Sequence, residues 1–390
     1  MRVTLLFGSG ISINSGMPKT QDITDRVLSG RDIYCDTTET FLFGTPPYAP
    51  GIPDEHVPRI VRFLSELKLE IERFFRIQGQ PTRQANYEDL YYVTSQIHDT
   101  LSGEYDNPAL QPLIDKLIRR IRTLLREVQL LHLTGQTTNY IHDVVWNLLS
   151  KEPLTVNHLR MIKDACLDKG ISAPDIFTLN HDVVLERLLS TINPNFMDGF
   201  TKPKIDNIRY WKKAPFREKT CHIRLFKLHG SINWFQFRPD GGGEYTQTIG
   251  SVPPGCDIQH TRNPKGNMQM AFEFRPMLLI GTFNKILKYT NGMFIELFYQ
   301  FYQSLRRTNR LVISGYSFGD KGVNTQIKEW LSSPANTRMV VIHPNPKGLK
   351  AAARPTISHD WEKLKKQGKL VLIRKRMEKV TWHDVRTRIT

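Results

Sequence analysis

Three uninterrupted apolar runs in the last third of the chain constrain its fold most: RLVISGY at 310–316, RMVVIHP at 338–344 and KLVLIRK at 369–375. A strand that is apolar at every position has both faces covered, which happens in parallel sheets clad by helices. Segments with helical spacing separate these runs, at 322–332 and from 346 to 354. A further apolar run, MLLIGT at 277–282, reads as a strand leading into a helix over about 285–307. The same grammar opens the chain, with Val3 to Phe7 as a buried strand, Gly8 to Gly16 as a turn and Thr20 to Leu28 as a helix. It returns as a strand at 175–180, a helix at 183–190 and a strand from Ile223 to Leu228. The expected fold is α/β, a doubly wound, Rossmann-like parallel sheet.

Between the first two of these units the pattern changes. Pro/Gly/Tyr punctuation at 44–53 closes the first unit, and amphipathic helices follow. Ile60, Phe63, Leu64, Leu67, Ile71, Phe74 and Phe75 share one helical face. Leu113, Leu117, Ile121, Leu124, Val128 and Leu131 share another, with Arg119, Arg120, Arg122 and Arg126 on its polar side. With a third helix at 136–150, the spacing predicts a helical module at 29–160 inserted into an α/β domain of 1–28 and 161–390. The arginine-rich face is the expected surface for assembly or gating. A Gly/Pro-rich stretch at 239–266, including Gly241 to Gly243, reads as a loop or hairpin.

The chain carries 54 Lys/Arg against 38 Asp/Glu, a formal charge of +16, which suits a polyanionic partner. Residues 360–390 alone hold ten basic against four acidic side chains. No recognised nucleic-acid module accompanies the charge, so direct nucleic-acid binding stays open but is not favoured over a basic face that steers an anionic dinucleotide. Cys35, Cys166, Cys221 and Cys256 are far apart and form no C-x-x-C pair, which argues against a zinc ribbon or disulfide scaffold. No stretch approaches the roughly 20 apolar residues of a membrane span, and the apolar run at the start meets glycine too early for a secretory signal. A soluble, cytoplasmic protein without membrane contact is expected.

Four short segments where apolar runs stop carry the candidate chemistry, because open α/β sheets bind ligands beyond the carboxyl ends of their strands. In FGSGISINSGMP (7–18), Gly8, Gly10 and Gly16 allow backbone approach before a helix start, and Ser9, Ser12 and Ser15 add hydroxyl groups. The segment reads either as a phosphate-binding loop or as a simple tight turn. In TLNHD (178–182), Asn180 can orient a water or a ribose hydroxyl, and Asp182 can hold a carboxamide or cap the next helix. KLHGS (227–231) ends a strand on His229 beside a glycine turn, a position suited to a general base. His222, His260 and His343 read as structural. ISGYSFGD (313–320) offers Gly315, Tyr316 and Ser317 to a phosphate or ribose, with Asp320 and Asn324 supporting the loop, and Asn345 follows the next strand near a nucleoside. The His-Asp pairs at 142–143 and 181–182 lack the further ligands a metal phosphohydrolase needs, and no metal site is expected.

In this order the four segments resemble the motifs of the sirtuin family, NAD-consuming enzymes on a Rossmann-like domain. FGSGISINSGMP is similar to G-A-G-x-S-x-x-S-G-I-P, TLNHD to T-Q-N-x-D, KLHGS to the catalytic H-G, and SGYSF to the G-T-S-L turn. The likeness covers roughly residues 1–28 and 170–345. Three departures stand beside it: Leu179 in place of the ribose-binding Gln, MPKT without the acidic-aromatic-arginine ending, and no four-cysteine zinc module. KLHGSINW and GYSFGD resemble instead the zinc-free sirtuin-like proteins of prokaryotic antiphage defence.

That resemblance implies NAD as substrate, no metal, and hydrolysis to nicotinamide and ADP-ribose through an oxocarbenium-like state. It implies that the pyrophosphate lies at Gly8 to Gly16, that Asp182 holds the nicotinamide carboxamide and Asn180 a water or ribose, and that His229 takes a proton. It also implies a homo-oligomer working with a separate sensor or motor, such as a HerA-type ring ATPase or a short Argonaute. Two alternatives remain: an NAD-dependent deacylase or ADP-ribosyltransferase, and an inactive NAD or ADP-ribose-binding scaffold for a nucleic-acid motor.

Overall fold

The computed structural model describes residues 1–45, 55–104, 108–126, 129–172, 174–212, 223–238, 248–281, 292–333 and 336–390. The chain divides into two compact units, one of Met1–Met17, Ser150–Leu279 and Lys285–Thr390, the other of Pro18–Leu149 and Ile280–Asn284.

The first unit is built on six parallel strands, named here β1 (Thr4–Phe7), β2 (Asp175–Thr178), β3 (Arg224–Lys227), β4 (Arg310–Ser314), β5 (Arg338–Ile342) and β6 (Leu370–Ile373). Their order across the sheet is β3-β2-β1-β4-β5-β6, the doubly wound order in which the chain runs outward in both directions from β1 and β4. The continuous apolar runs follow from this arrangement. Leu6 lies in register with Phe177 and Ile313, Phe177 with Phe226 and Ile313 with Val341. This row packs under the helices Gly292–Arg307 and Lys321–Ser332 through Leu297, Phe301, Val323 and Ile327. Phe177 stacks on Phe226 at 4.5 Å and meets Phe301 edge-on at 5.0 Å. The intervening residues Leu5, Ile176, Leu225, Val312 and Val340 are equally buried. Successive side chains of a strand point to opposite faces, so these belong to the second face. The helix Trp382–Ile389 packs there against β5, β6 and the helix Arg160–Leu167.

One apolar run departs from its expected role. Of MLLIGT, residues 277–281 are described and make an isolated antiparallel bridge between Leu278 and Gly230, not a sheet strand, because β3 already forms that edge and the run passes across its exit turn; Thr282 and the start of the helix expected over 285–307 lie outside the described residues. The stretch 239–266 is described from Thr248 onward, as a strand Thr248–Ser251 in a small antiparallel sheet and a two-strand ribbon at 261–262 and 268–269. Gly241 to Gly243, His222 and Cys221 lie outside the described residues. Cys166 is a thiol that burial pushes up to about 12, so it stays protonated and unreactive at neutral pH.

The C-terminal helix is tied down by charge. Trp382 Nε1 and Arg386 both donate to Asp168, at 2.7 and 2.6 Å. Lys375 donates to Asp384 at 2.8 Å, and Thr381 N donates to the same carboxylate at 3.1 Å. These bonds, Lys375 first, hold the Asp384 carboxyl down at about 2. A carboxyl held below its unfolded value of about 3.9 adds stability above that value and loses it as pH falls through the folded one. The melting-temperature difference between the parent and Asp384→Asn is therefore expected in full at neutral pH. It is expected to shrink from about pH 4 and vanish near pH 2; a difference that stays constant on acidification contradicts this.

The second unit is helical, with helices at Thr20–Ser29, His56–Ile77, Tyr87–Ser102, Gln111–Leu125 and Leu130–Leu149 and a hairpin of Ile33–Cys35 and Phe41–Phe43. Its core gathers Val27, Ile60, Phe63, Leu64, Leu67, Leu90, Ile97, Tyr140 and Val144. The Tyr140 hydroxyl donates to Val27 O at 2.8 Å, and Phe41 meets the Tyr140 ring edge-on at 5.2 Å.

The expected stripes are only partly realised. Phe74 is exposed at 57% while its neighbour Phe75 is buried. On the helix Gln111–Leu125 the buried residues are Ile118 and Ile121, whereas Leu113 and Leu124 face solvent. The helix stops at Arg126, whose φ of +52° breaks the α-helical path, so Leu131 belongs to the next helix and cannot share the stripe; Val128 lies outside the described residues. The third helix begins at Leu130, earlier than expected. Arg119 and Arg122 are exposed, and Arg120 pairs with Glu70 at 2.9 Å.

Candidate active site at the carboxyl edge of the sheet

Because the connections leave β1 and β4 in opposite directions, the carboxyl ends of these adjacent strands form the switch point at which doubly wound sheets carry their ligands. The two loops that follow are sewn together by backbone. Gly8 N donates to Ser314 O and Gly10 N to Gly315 O, each at 3.0 Å. A Cβ on Gly8 would lie 2.5 Å from Gly315 O, and one on Gly10 2.7 Å from Gly315 Cα. These glycines are therefore required by the meeting of the loops, whatever ligand they serve. Beyond them the chain makes two 3-10 turns, Ser9–Ile11 and Ile13–Ser15, closed by Gly16 in the left-handed region, where the sequence suggested one turn. Leu154 N donates to Ser15 O at 2.9 Å and His158 Nε2 to Ile11 O at 2.8 Å, fixing the loop from outside.

From the end of β2 comes a buried polar chain. Asn180 Nδ2 donates to Ser12 Oγ at 2.9 Å, and the Ser12 hydroxyl also bonds the Asp182 carboxylate. Ser12, Asn180 and Asp182 are all buried. Asp182 Oδ1 accepts Val184 N at 3.0 Å, so the carboxylate bonds the first residue of the helix Val184–Ile192, whose N-cap is Val183, and holds the β1 loop at once. Burial raises its pKa, and the nearby Lys227 ammonium opposes that rise. Asn180 Oδ1 and Ser15 Oγ are buried without a hydrogen-bond partner. Such orphaned atoms are uncommon and mark places where a ligand or water completes the set.

The histidine comes from the end of β3. His229 leaves β3 one residue before Gly230, whose φ is +85° and whose Cβ would stand 1.9 Å from Met277 O. His229 Nε2 lies 3.1 Å from Asp320 Oδ2, with both side chains about 5% exposed or less. Asp320 Oδ1 accepts Val323 N at 2.8 Å, so one carboxylate orients the imidazole and caps the helix Lys321–Ser332. The Tyr316 phenol oxygen accepts Asp320 N at 3.1 Å and donates to Asn324 Oδ1 at 2.8 Å. Burial raises its pKa well above the usual value, which keeps it a neutral donor. In the tautomer that donates Nε2–H to Asp320, Nδ1 holds the lone pair that accepts a proton. Since β3 and β4 are three inter-strand gaps apart, about 14 Å at 4.8 Å per gap, the pair closes over the ends of β1 and β2.

Gly8, Gly10, Ser12, Ser15, Asn180, Asp182, His229, Gly315 and Tyr316 thus gather at this edge, in loops that follow β1, β2, β3 and β4. Ser9, Gly16 and Ser317 are exposed on the same loops. Asn345 follows β5, further along the edge, and its Oδ1 caps the helix Pro346–Ala352 through Gly348 N at 3.0 Å. Two residues gain roles the sequence did not suggest. Asp320 is the partner of the histidine, and Lys227 lies buried beneath the Asn180–Asp182 loop. Their spacing of 91 and roughly 45 residues from their partners leaves no local signal. Among the described residues no group of three or more metal-ligating side chains occurs, and no helix is long and apolar enough to cross a membrane.

No protein-family model matches the chain, and no curated protein does. Among solved structures, it aligns with the ADP-ribose complex of a Sir2 homologue variant over 99% of this chain and 91% of that one, at 10% identity and a TM-score of 0.38. It also aligns with the NAD complex of a Sir2 homologue over 99% and 89%, at 11% identity and a TM-score of 0.37. The strand order and site geometry above are independent of this distant likeness.

Proposed function

We propose that the α/β unit binds NAD and hydrolyses it to nicotinamide and ADP-ribose. The observation that carries this reading is the buried His229–Asp320 pair, at the same carboxyl edge of the sheet as Asn180. Two buried atoms in want of partners, Asn180 Oδ1 and Ser15 Oγ, sit in the β2 and β1 loops and support a polar ligand there. NAD supplies the labile bond between ribose and nicotinamide. Asn180, held through Ser12, orients a water or ribose hydroxyl, and Asp182 fixes the β1 loop against the β2 loop. His229 takes a proton, and Asp320 stabilises the imidazolium that results. The sirtuin-like segments in the sequence all reach this one edge, which supports the same reading. On that resemblance the wider role is that of an NAD-depleting effector in antiphage defence, assembled as a homo-oligomer with a partner such as a HerA-type ring ATPase.

Nicotinamide release from NAD by the purified chain, with and without a ring ATPase, tests the proposal. Asn180→Ala is expected to lower the rate by about 10²- to 10³-fold, the effect of removing one positioned polar group. Release that requires an acylated peptide moves the assignment to group transfer. NAD binding without turnover under any condition moves it to a scaffold.

A further inference from the structure

We propose that Lys227 is a positioning residue whose ammonium fixes the backbone of the Asn180–Asp182 loop from below, so that Asn180 and Asp182 meet Ser12 in register. This rests on the NAD hydrolase reading for its effect on turnover. Lys227 ends β3 with 2% of its side chain exposed. An ammonium has three donors and no acceptor. Here three acceptors surround it: Glu186 Oε1 at 2.6 Å, the backbone oxygen of Asp182, and the backbone oxygen of His181 at 3.4 Å. Two of the three belong to the loop that carries the site. Ser231 Oγ and Ile232 N also reach His181 O, at 3.3 and 3.1 Å, so the turn after His229 is bound to the same carbonyl. One point therefore ties the β2 loop to the β3 loop. The pairing with Glu186 alone needs no contact to the loop, since Glu186 lies on the helix Val184–Ile192. The two carbonyl bonds distinguish a positioning device from a buried ion pair.

The test separates these roles. Lys227→Met alone leaves Glu186 unpaired in a buried place and is expected to destabilise. The double variant Lys227→Met with Glu186→Gln removes both charges of that pair while filling similar volume, and is expected to recover part of the lost stability, Asp182 being the carboxylate that still lacks the ammonium. If Lys227 positions the loop, the double variant still turns over NAD about 10²-fold more slowly, the cost of a small misplacement of catalytic groups. Its amide hydrogen exchange is then faster across residues 179–184 and unchanged in β5. Lys227→Arg, which keeps the charge but presents a planar fork, is expected to remain folded and equally slow. A double variant or Lys227→Arg protein with parental turnover overturns the proposal. Should the parent itself not turn over NAD, the hydrolase reading fails, and exchange at residues 179–184 decides alone: faster exchange supports the positioning role and unchanged exchange overturns it.

Discussion

His229→Ala is expected to lower nicotinamide release by about 10²- to 10⁴-fold, the span of general-base contributions. The side chain is buried, and its Nε2 faces the Asp320 carboxylate at 3.1 Å, which keeps its bond from Val323 N when the histidine is gone. The fold is therefore expected to survive its loss, with NAD affinity changed far less than turnover. Asp320→Asn isolates the electrostatic part. Asparagine caps helices as well as aspartate does, so Val323 N keeps an acceptor and the helix Lys321–Ser332 keeps its start. What is lost is the charge that stabilises the imidazolium and the preference for the Nε2–H tautomer. Asp320→Asn is expected to lower turnover with little change in melting temperature. Single-turnover rates and NAD titrations on both variants check this. A His229→Ala protein that is folded, binds NAD and hydrolyses it at the parental rate removes the mechanism.

Much of the α/β unit was legible because parallel strands buried on both faces leave an unmistakable trace. Leu5, Leu6, Val312, Ile313, Val340 and Val341 read as strand from the sequence and are strand in the structure. The same criterion misread MLLIGT, since Leu278 and Leu279 are buried by crossing the His229 turn and not by pairing into the sheet. Periodicity failed in the helical unit for another reason. Leu113 and Leu117 have the spacing of a buried stripe, but Ile118 and Ile121 occupy the inner face, and the helix ends before the stripe is complete. At the site, residue types at strand ends were legible while their partners were not. Asp320 reads from the sequence as support for its loop, and one oxygen does cap the helix that follows; that its second oxygen faces a histidine depends on the order of strands across the sheet. Lys227 was hidden as one of two basic residues, with Arg224, in the run IRLFKL, where alternation assigns it no task.

Gly315→Ala is the substitution expected to damage fold and site together. Gly315 adopts φ +69°, and a Cβ there would lie 2.6 Å from both Gly8 O and Ile11 N. The left-handed conformation costs a residue with a Cβ about 1–2 kcal/mol. Overpacking against backbone that cannot rotate away adds about 1–3 kcal/mol. The only relief is to part the β1 and β4 loops, which breaks the bonds of Gly8 N to Ser314 O and Gly10 N to Gly315 O. Since these bonds shape the loop that carries Ser12 and Ser15, NAD binding is expected to fall along with the melting temperature. Gly319→Ala, four residues on in the same turn, supplies the control. Its Cβ would meet only Ser317 Oγ at 3.4 Å, and its φ lies outside the left-handed region, so it is expected to be nearly neutral in both measurements. Thermal melts and calorimetric NAD titrations of the two alanine variants decide the matter. If both leave affinity untouched, the meeting of β1 and β4 is only a packing joint, and the dinucleotide, if bound, lies elsewhere. If Gly315→Ala alone loses affinity, the close approach of the two loops is what shapes the nucleotide site.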